Sequence, residues 1–133
     1  MSCQPLVLLV PADRVTGAAT IKGLVSYGYE VLSAGSMEQA REMLRAHRRI
    51  CVLVVDTDLR QAEDGLSLAR DARAFNPDLK IIYTSHLPSR ISHGQKVIGA
   101  PCLRTPYRPH QLVSVIGQLI RRPVAEEMVA SAA

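Results

Sequence analysis

The residues best placed for chemistry lie between Ile50 and Gly65, a stretch reading Ile-Cys-Val-Leu-Val-Val-Asp-Thr-Asp-Leu-Arg-Gln-Ala-Glu-Asp-Gly. Five apolar residues, Cys51 to Val55, run without a polar break and stop at Asp56. A run of β-branched residues that long predicts a strand buried on both faces. Its closing carboxylate then falls at the carboxyl end of the strand, where open α/β sheets place their sites. A second run, Leu79 to Tyr83, delivers the hydroxyls of Thr84 and Ser85 in the same way. Other reactive residues do not converge. His86 and His93 are seven apart and could share a helix face, but a metal site needs further ligands, so they read as surface histidines. Cys3, Cys51 and Cys102 are odd in number and lack metal-ligand spacing. Cys51, inside the apolar run, reads as a small core residue.

The elements that must position Asp56 follow from periodicity. Leu6 to Val10 is an all-apolar strand stopped by Pro11. Asp13 is a candidate N-cap for a helix from Arg14 to Tyr27, whose apolar residues are Val15, Ala18, Ala19, Ile21, Leu24 and Val25. Gly17 and Gly23 weaken that helix, and Gly28 stops it. Tyr29 to Ala34 is a less apolar strand, as an edge position would explain. Ser36 and Gln39 have capping-box spacing ahead of a helix from Met37 to His47. Arg45, His47, Arg48 and Arg49 suit the carboxyl end of that helix better than a phosphate-binding patch. Gly65 to Phe75 is a third helix, Leu87 to Gly99 a weakly patterned segment, and Pro101 to Arg104 a minimal fifth strand. His110 to Arg121 is a strongly patterned helix, ended by Pro123. Five alternations of strand and helix predict an α/β doubly wound five-stranded parallel sheet with helices on both faces, flavodoxin-like.

From Leu6 to Ile120 the pattern resembles the receiver domain of bacterial two-component response regulators, the fold of the chemotaxis response regulator. The likeness rests on Val-Val-Asp56-Thr-Asp-Leu with Glu-Asp-Gly65-Leu-Ser-Leu-Ala-Arg behind it, on Ile-Ile-Tyr-Thr84-Ser85, on Leu103-Arg-Thr-Pro106-Tyr-Arg-Pro-His-Gln-Leu112, and on Gly28-Tyr29-Glu-Val31 with Ala34. The resemblance implies that Asp56 is the phosphoacceptor position and Thr84 the switch hydroxyl. It also implies Mg²⁺, held by an acidic pair after the first strand, and a lysine that neutralises the transferred phosphoryl group. Here the acidic pair falls on Pro11 and Ala12, and the lysine on Thr105. Arg60 stands where the loop usually has proline, and the loop to Gly65 is one residue longer. Two of the three neutralising groups are thus missing. Asp58 and Asp13 are weak metal candidates, so the expectation is no resident cofactor. Arg104 alternates to the wrong side of its strand to replace the lysine, and nothing in the sequence requires Arg14 to do so. The family's lysine–proline bond is usually cis; for Thr105–Pro106 the question stays open.

At 133 residues and 47% hydrophobic, the chain fits one domain with an aliphatic core, since it has only five aromatic residues and no tryptophan. Residues 1–123 read as the receiver-like domain and 124–133 as a flexible tail. The net charge of +4 is modest and scattered, which argues against nucleic acid as a partner. No run approaches the length of a membrane helix and no signal peptide is visible, so a cytoplasmic location is expected. The expected role is a stand-alone atypical receiver, not an enzyme, signalling through protein contacts with impaired or absent Mg²⁺-dependent phosphorylation. A histidine kinase or an output protein is the expected partner. A homodimer through Tyr107 and the apolar stripe of the last helix is open, although packing on the sheet explains most of that stripe. One alternative is a slow but working phosphoacceptor at Asp56. Another, from a different class, is a phosphatase, because Asp56-Thr-Asp58 also resembles the Asp-x-Asp motif of haloacid-dehalogenase-type enzymes.

Overall fold

A computed structural model describes residues 6–11, 14–57, 62–86, 97, 99–105 and 107–120, the side chains of residues 14 and 62–64 excepted. The elements in chain order are β1 (Leu6–Val10), α1 (Arg14–Ser26), β2 (Glu30–Ser33), α2 (Met37–Ala46), β3 (Ile50–Asp56), α3 (Ala62–Phe75), β4 (Lys80–Ser85), β5 (Cys102–Arg104) and α4 (Pro109–Ile120). All strand pairs are parallel, in the order β2-β1-β3-β4-β5. The continuous apolar run of β3 therefore sits at the centre, covered on both faces.

Alternation along the strands divides the core into two layers. Leu8, Val10, Leu53, Val55, Ile81 and Tyr83 meet Ala40 and Leu44 of α2 and Leu68, Ala69 and Ala72 of α3. Val7, Leu9, Val52, Val54 and Ile82 meet Leu24 of α1 and Leu112 and Ile116 of α4. The period of two along a strand produces this division. The doubly wound sheet expected from the sequence is the one observed. β2 is an exposed edge, with burial far below that of β1.

The signals at Ser36, Gln39 and Gly28 act where the sequence placed them, and the last helix begins one residue earlier than predicted, at Pro109. Ser36 Oγ accepts from the Gln39 amide at 3.1 Å, and Gln39 Oε1 accepts from the Gly35 amide at 2.7 Å, so both side chains satisfy donors at the start of α2. Pro109 occupies the first helical position of α4, and the Gln111 side chain accepts from the Arg108 amide at 2.8 Å. Gly28 ends α1 at φ 94°, in the left-handed region, while the Tyr29 amide donates back to the Leu24 carbonyl at 3.1 Å.

α1 corrects the sequence reading. Val15 is 81% and Val25 55% exposed, and Ala18 and Ala19 face outward as well. The buried face is Gly17, Thr20 and Leu24. Hydropathy found Ile21 and Leu24 but missed Gly17 and Thr20, because this helix also packs by close approach. A Cβ added to Gly17 would stand 2.7 Å from Pro11 Cγ, and one added to Gly23 would overlap Pro109 Cβ and Cγ. The two glycines therefore lie at contacts with the β1 end and with α4. α3 begins three residues earlier than expected, which places Gly65 inside the helix; a Cβ there would lie 3.2 Å from the Asp56 carbonyl oxygen. Most of the weakly patterned 87–99 segment, the end of the last helix at Arg121, Pro123 and the 124–133 tail lie outside the described residues.

Candidate functional site

The last residue of β3 pairs with the fifth residue of β4, so Asp56 and Thr84 stand side by side at the carboxyl edge of the sheet. Both continue the alternation of the layer that faces α1 and α4. Asp56 is 5% and Thr84 3% exposed. Thr84 Oγ1 donates to Asp56 Oδ2 at 2.9 Å. Thr57, the next residue, donates twice to the Thr84 carbonyl, from its amide at 2.8 Å and from its Oγ1 at 3.0 Å. Three hydrogen bonds thus tie the ends of β3 and β4 together, one of them through the carboxylate.

The neighbouring strands bring up the other positions singled out in the sequence. Val10 pairs with Val55, so Pro11 follows at the level of Asp56 on the β1 side. Its ring packs on Gly17 of α1. On the β4 side, Leu103 pairs with Thr84 and Arg104 with Ser85. Arg104 therefore projects to the opposite face from Thr84, and its exposure agrees with the alternation expected for it. Thr105 follows, its amide donating to the Ser85 carbonyl at 3.0 Å. Ala12, Asp13, Asp58, Arg60, His93, Pro106 with its preceding bond, and the Arg14 side chain lie outside the described residues.

A second pair of hydroxyls lies close by. Tyr107 Oη is 3.2 Å from Thr20 Oγ1, joining the segment before α4 to the buried face of α1. Burial holds the Tyr107 phenol above its ordinary pKa; the Thr20 hydrogen bond opposes this, and the negative charge of Asp56 adds to it. On the other face of β4, Tyr83 is fully buried and its Oη accepts from the Val97 amide at 3.0 Å. Burial raises its phenol, while that hydrogen bond and the charges of Arg70 and Arg73 lower it. Thr20 and Thr57 escaped the sequence reading. Thr20 is a polar residue on the buried side of a helix, and only its spacing from Leu24 could have signalled it.

Of the positions at which the resemblance implies Mg²⁺ ligands, Asp56 and Pro11 lie among the described residues, and Pro11 supplies no side-chain oxygen. Mg²⁺ needs convergent oxygen ligands in near-octahedral geometry. At the level of Asp56 on β1 stands Pro11, whose ring carries no oxygen and is packed against α1. Among the described residues no group of three His, Cys, Asp or Glu side chains could hold a metal ion. Cys51 is partly buried, its thiol donates to the Leu6 carbonyl at 3.7 Å, and burial raises its pKa. It behaves as a core residue, not as a ligand. Among the described residues, no helix is long and apolar enough to cross a membrane.

No family model matches the chain. It is 34% identical over 130 residues to the transcriptional regulatory protein AruR of Pseudomonas aeruginosa; the match covers 92% of this chain and 52% of that protein. The chain thus spans about half the length of this curated relative. Among solved structures, a response regulator receiver protein from Pseudomonas putida superimposes with a TM-score of 0.73 at 28% identity, covering 89% of this chain and 99% of the other. One from Sinorhizobium medicae gives a TM-score of 0.76 at 26% identity, covering 90% and 96%.

Proposed function

We propose, from the premise that the chain carries a response-regulator receiver domain of two-component signalling, that it acts through protein–protein contacts with Mg²⁺-dependent phosphorylation of Asp56 impaired or lost. One observation carries this reading: the Pro11 ring, packed on Gly17, occupies the level of β1 where a receiver presents its acidic side chains to Asp56.

The reasoning is electrostatic. For a phosphoryl group to reach Asp56, a carboxylate oxygen attacks phosphorus and forms an Oδ–P bond. The bond from phosphorus to the donor breaks, P–N for a phosphohistidine and P–O for acetyl phosphate, and its electron pair leaves with the donor nitrogen or oxygen. Charge on the group in transit must be neutralised by donors already in place. Thr84 offers one neutral hydroxyl, already bonded to Asp56 Oδ2. Pro11 offers no ligand and Thr105 no charge. Losing one well-placed donor costs about 10²–10³ in rate, and the loss of the metal carboxylates adds to it.

What remains is a surface with a switchable edge. α1 exposes Val15 at its start, on the Asp56 side of the sheet, and Val25 at its far end with Tyr27 just beyond; this exposed apolar material suits a protein partner, either a histidine kinase or an output protein. The likeness to a transcriptional regulatory protein supports an output that ends in gene expression. The α4 stripe supports a homodimer less, because Leu112 and Ile116 are buried and Val113, Val115 and Leu119 pack on the same layer. The working place proposed for the domain is the cytoplasm.

A slow phosphoacceptor is the second reading, favoured by the 2.9 Å contact between Asp56 and Thr84. One experiment separates the two. The protein is incubated with Mg²⁺ and acetyl phosphate, intact mass is followed over time, and Asp56→Asn is run in parallel. No adduct and no Mg²⁺ binding is the expected result. A stable adduct abolished by Asp56→Asn would establish the slow phosphoacceptor. Release of phosphate over many turnovers would instead favour the phosphatase that uses Asp56 and Asp58.

A further inference from the structure

The cleft between α2 and α3 lies at the opposite end of the sheet from Asp56. Leu44, Leu68 and Ala72 form its floor, Phe75 one wall, and Arg41 and Arg45 part of its rim, around a volume of about 240 Å³. A second hollow of about 230 Å³ shares Leu44, Ala72 and Phe75, adds Arg48, and reaches Ile50, the first residue of β3. The seven residues of β3 place this end about 20 Å from Asp56.

Two features of the cleft are unusual for a solvent-facing helix pair. Phe75 is the chain's only phenylalanine, yet it is 47% exposed, with the Arg48 guanidinium 5.3 Å above its ring. The cations of the rim are also undercommitted. Arg41 pairs with Asp71 across the cleft at 3.0 Å, but among the described residues neither Arg45 nor Arg48 forms an ion pair. An apolar floor with a cationic rim matches a ligand that is apolar at one point and anionic around it.

Size and charge narrow the class. Each hollow falls below the range of about 300–1,000 Å³ usual for small-molecule sites, and is of the order of one or two side chains. Asp71 in the lining, with Glu38 and Glu42 on α2, breaks up the run of positive charge that a phosphodiester backbone would need. We propose that the α2–α3 cleft docks an acidic peptide segment of a partner protein. A leucine or aromatic side chain of that segment fills the hollow against Leu44, Ala72 and Phe75, and its carboxylates meet Arg45 and Arg48. This contact is independent of the chemistry at Asp56, so a partner held here leaves the Asp56 edge free for another.

A random peptide library displayed on phage, panned against the chain and against its Arg45→Glu/Arg48→Glu variant, tests the assignment. The expected consensus carries net negative charge around a leucine or aromatic anchor and enriches at least tenfold less on the variant. A selected peptide titrated into ¹⁵N-labelled protein should shift the amides of Leu44, Ala72 and Phe75 and leave those of Asp56 and Thr84 in place. Phe75→Ala, which keeps the arginines, should weaken binding at least fivefold. Arg45→Glu/Arg48→Glu also removes favourable charge from the end of α2 and the cation over Phe75, so binding is scored at a temperature where melting curves show parent and variant both folded. A neutral or basic consensus would overturn the proposal, as would equal enrichment on the variant, shifts confined to the Asp56 edge, or no enrichment at all. Tighter binding of a single-stranded oligonucleotide at the same amides would reassign the cleft to nucleic acid and overturn it too.

Discussion

The two flanks of Asp56 differ in kind. On the β4 side Thr84 is in register, buried and bonded to the carboxylate, and Thr57 ties the same two strand ends through the backbone. On the β1 side the residue at the same level is Pro11, a ring packed on a glycine of α1. One flank makes polar contact with the carboxylate; the other presents apolar packing at the same level. The Thr84 hydroxyl satisfies a buried carboxylate, whereas the Pro11 ring offers it no hydrogen bond.

The largest effect should come from restoring the β1 flank. Pro11→Asp combined with Thr105→Lys returns an acidic ligand and a cation to the level of Asp56. Adduct formation from acetyl phosphate and Mg²⁺ should then rise by about 10²-fold or more over the parent chain. Intact mass against time is the measurement. An unchanged rate would mean that the difference between the flanks does not limit the chemistry.

Next comes the packing of Pro11 on α1. Gly17→Val puts a branched side chain where a single Cβ would already stand 2.7 Å from Pro11 Cγ. Overpacking of this kind costs about 1–3 kcal/mol. Urea unfolding should show it as a lower midpoint. The same change in a Pro11→Asp background should cost less, because the ring it strikes is gone. Equal costs in both backgrounds would show that Pro11 and Gly17 do not pack as one unit.

On the β4 flank, Thr84→Val removes the hydroxyl but keeps the shape, leaving Asp56 Oδ2 without its described donor. Loss of a buried bond to a carboxylate costs about 1–3 kcal/mol. The same variant in an Asp56→Asn background should cost measurably less, and this double-mutant cycle measures the pair. A cycle that sums to zero would reduce the 2.9 Å contact to simple proximity.

How much of this was legible in the sequence depends on which force decides each element. β1, β3 and β4 are buried on both faces, so continuous apolar runs announce them, and their parallel pairing follows from the long crossovers. Asp56 and Thr84 could be read for the same reason, since each ends such a run. α1 could not. Its packed face contains Gly17, Thr20 and Gly23, chosen for size and not for hydropathy, and a hydrophobic count is blind to close approach. Thr20 and Thr57 were invisible because their roles depend on partners distant in sequence: Tyr107 for one and Thr84 for the other. The surroundings of Phe75 were not legible either, because a cation over its ring and a cleft beside it lie outside any periodic pattern.

The smallest expected effect reads the charge of Asp56 from a distance. Tyr107 titrates above its ordinary value of 10.0, mainly from burial, with the Asp56 charge adding to the shift. A phenol whose folded pKa is raised supports the fold in its neutral form. Its contribution is present in full below about pH 10 and is lost as pH rises through the folded value. Tyr83 behaves alike, so stability should fall above pH 10 on two counts, and Tyr107→Phe should remove one of them. Asp56→Asn removes a negative charge while keeping the shape of the side chain. The Tyr107 pKa should then move down toward its ordinary value, and that of Tyr83, for which Asp56 is not among the causes, should hold. Phenolate absorbance, with Tyr83→Phe and Tyr107→Phe to assign the transitions, resolves the two. A shift at Tyr107 alone would show that the hydroxyl pair on α1 senses the state of Asp56. Any event that adds charge there, a phosphoryl group included, would then move the same phenol in the opposite direction.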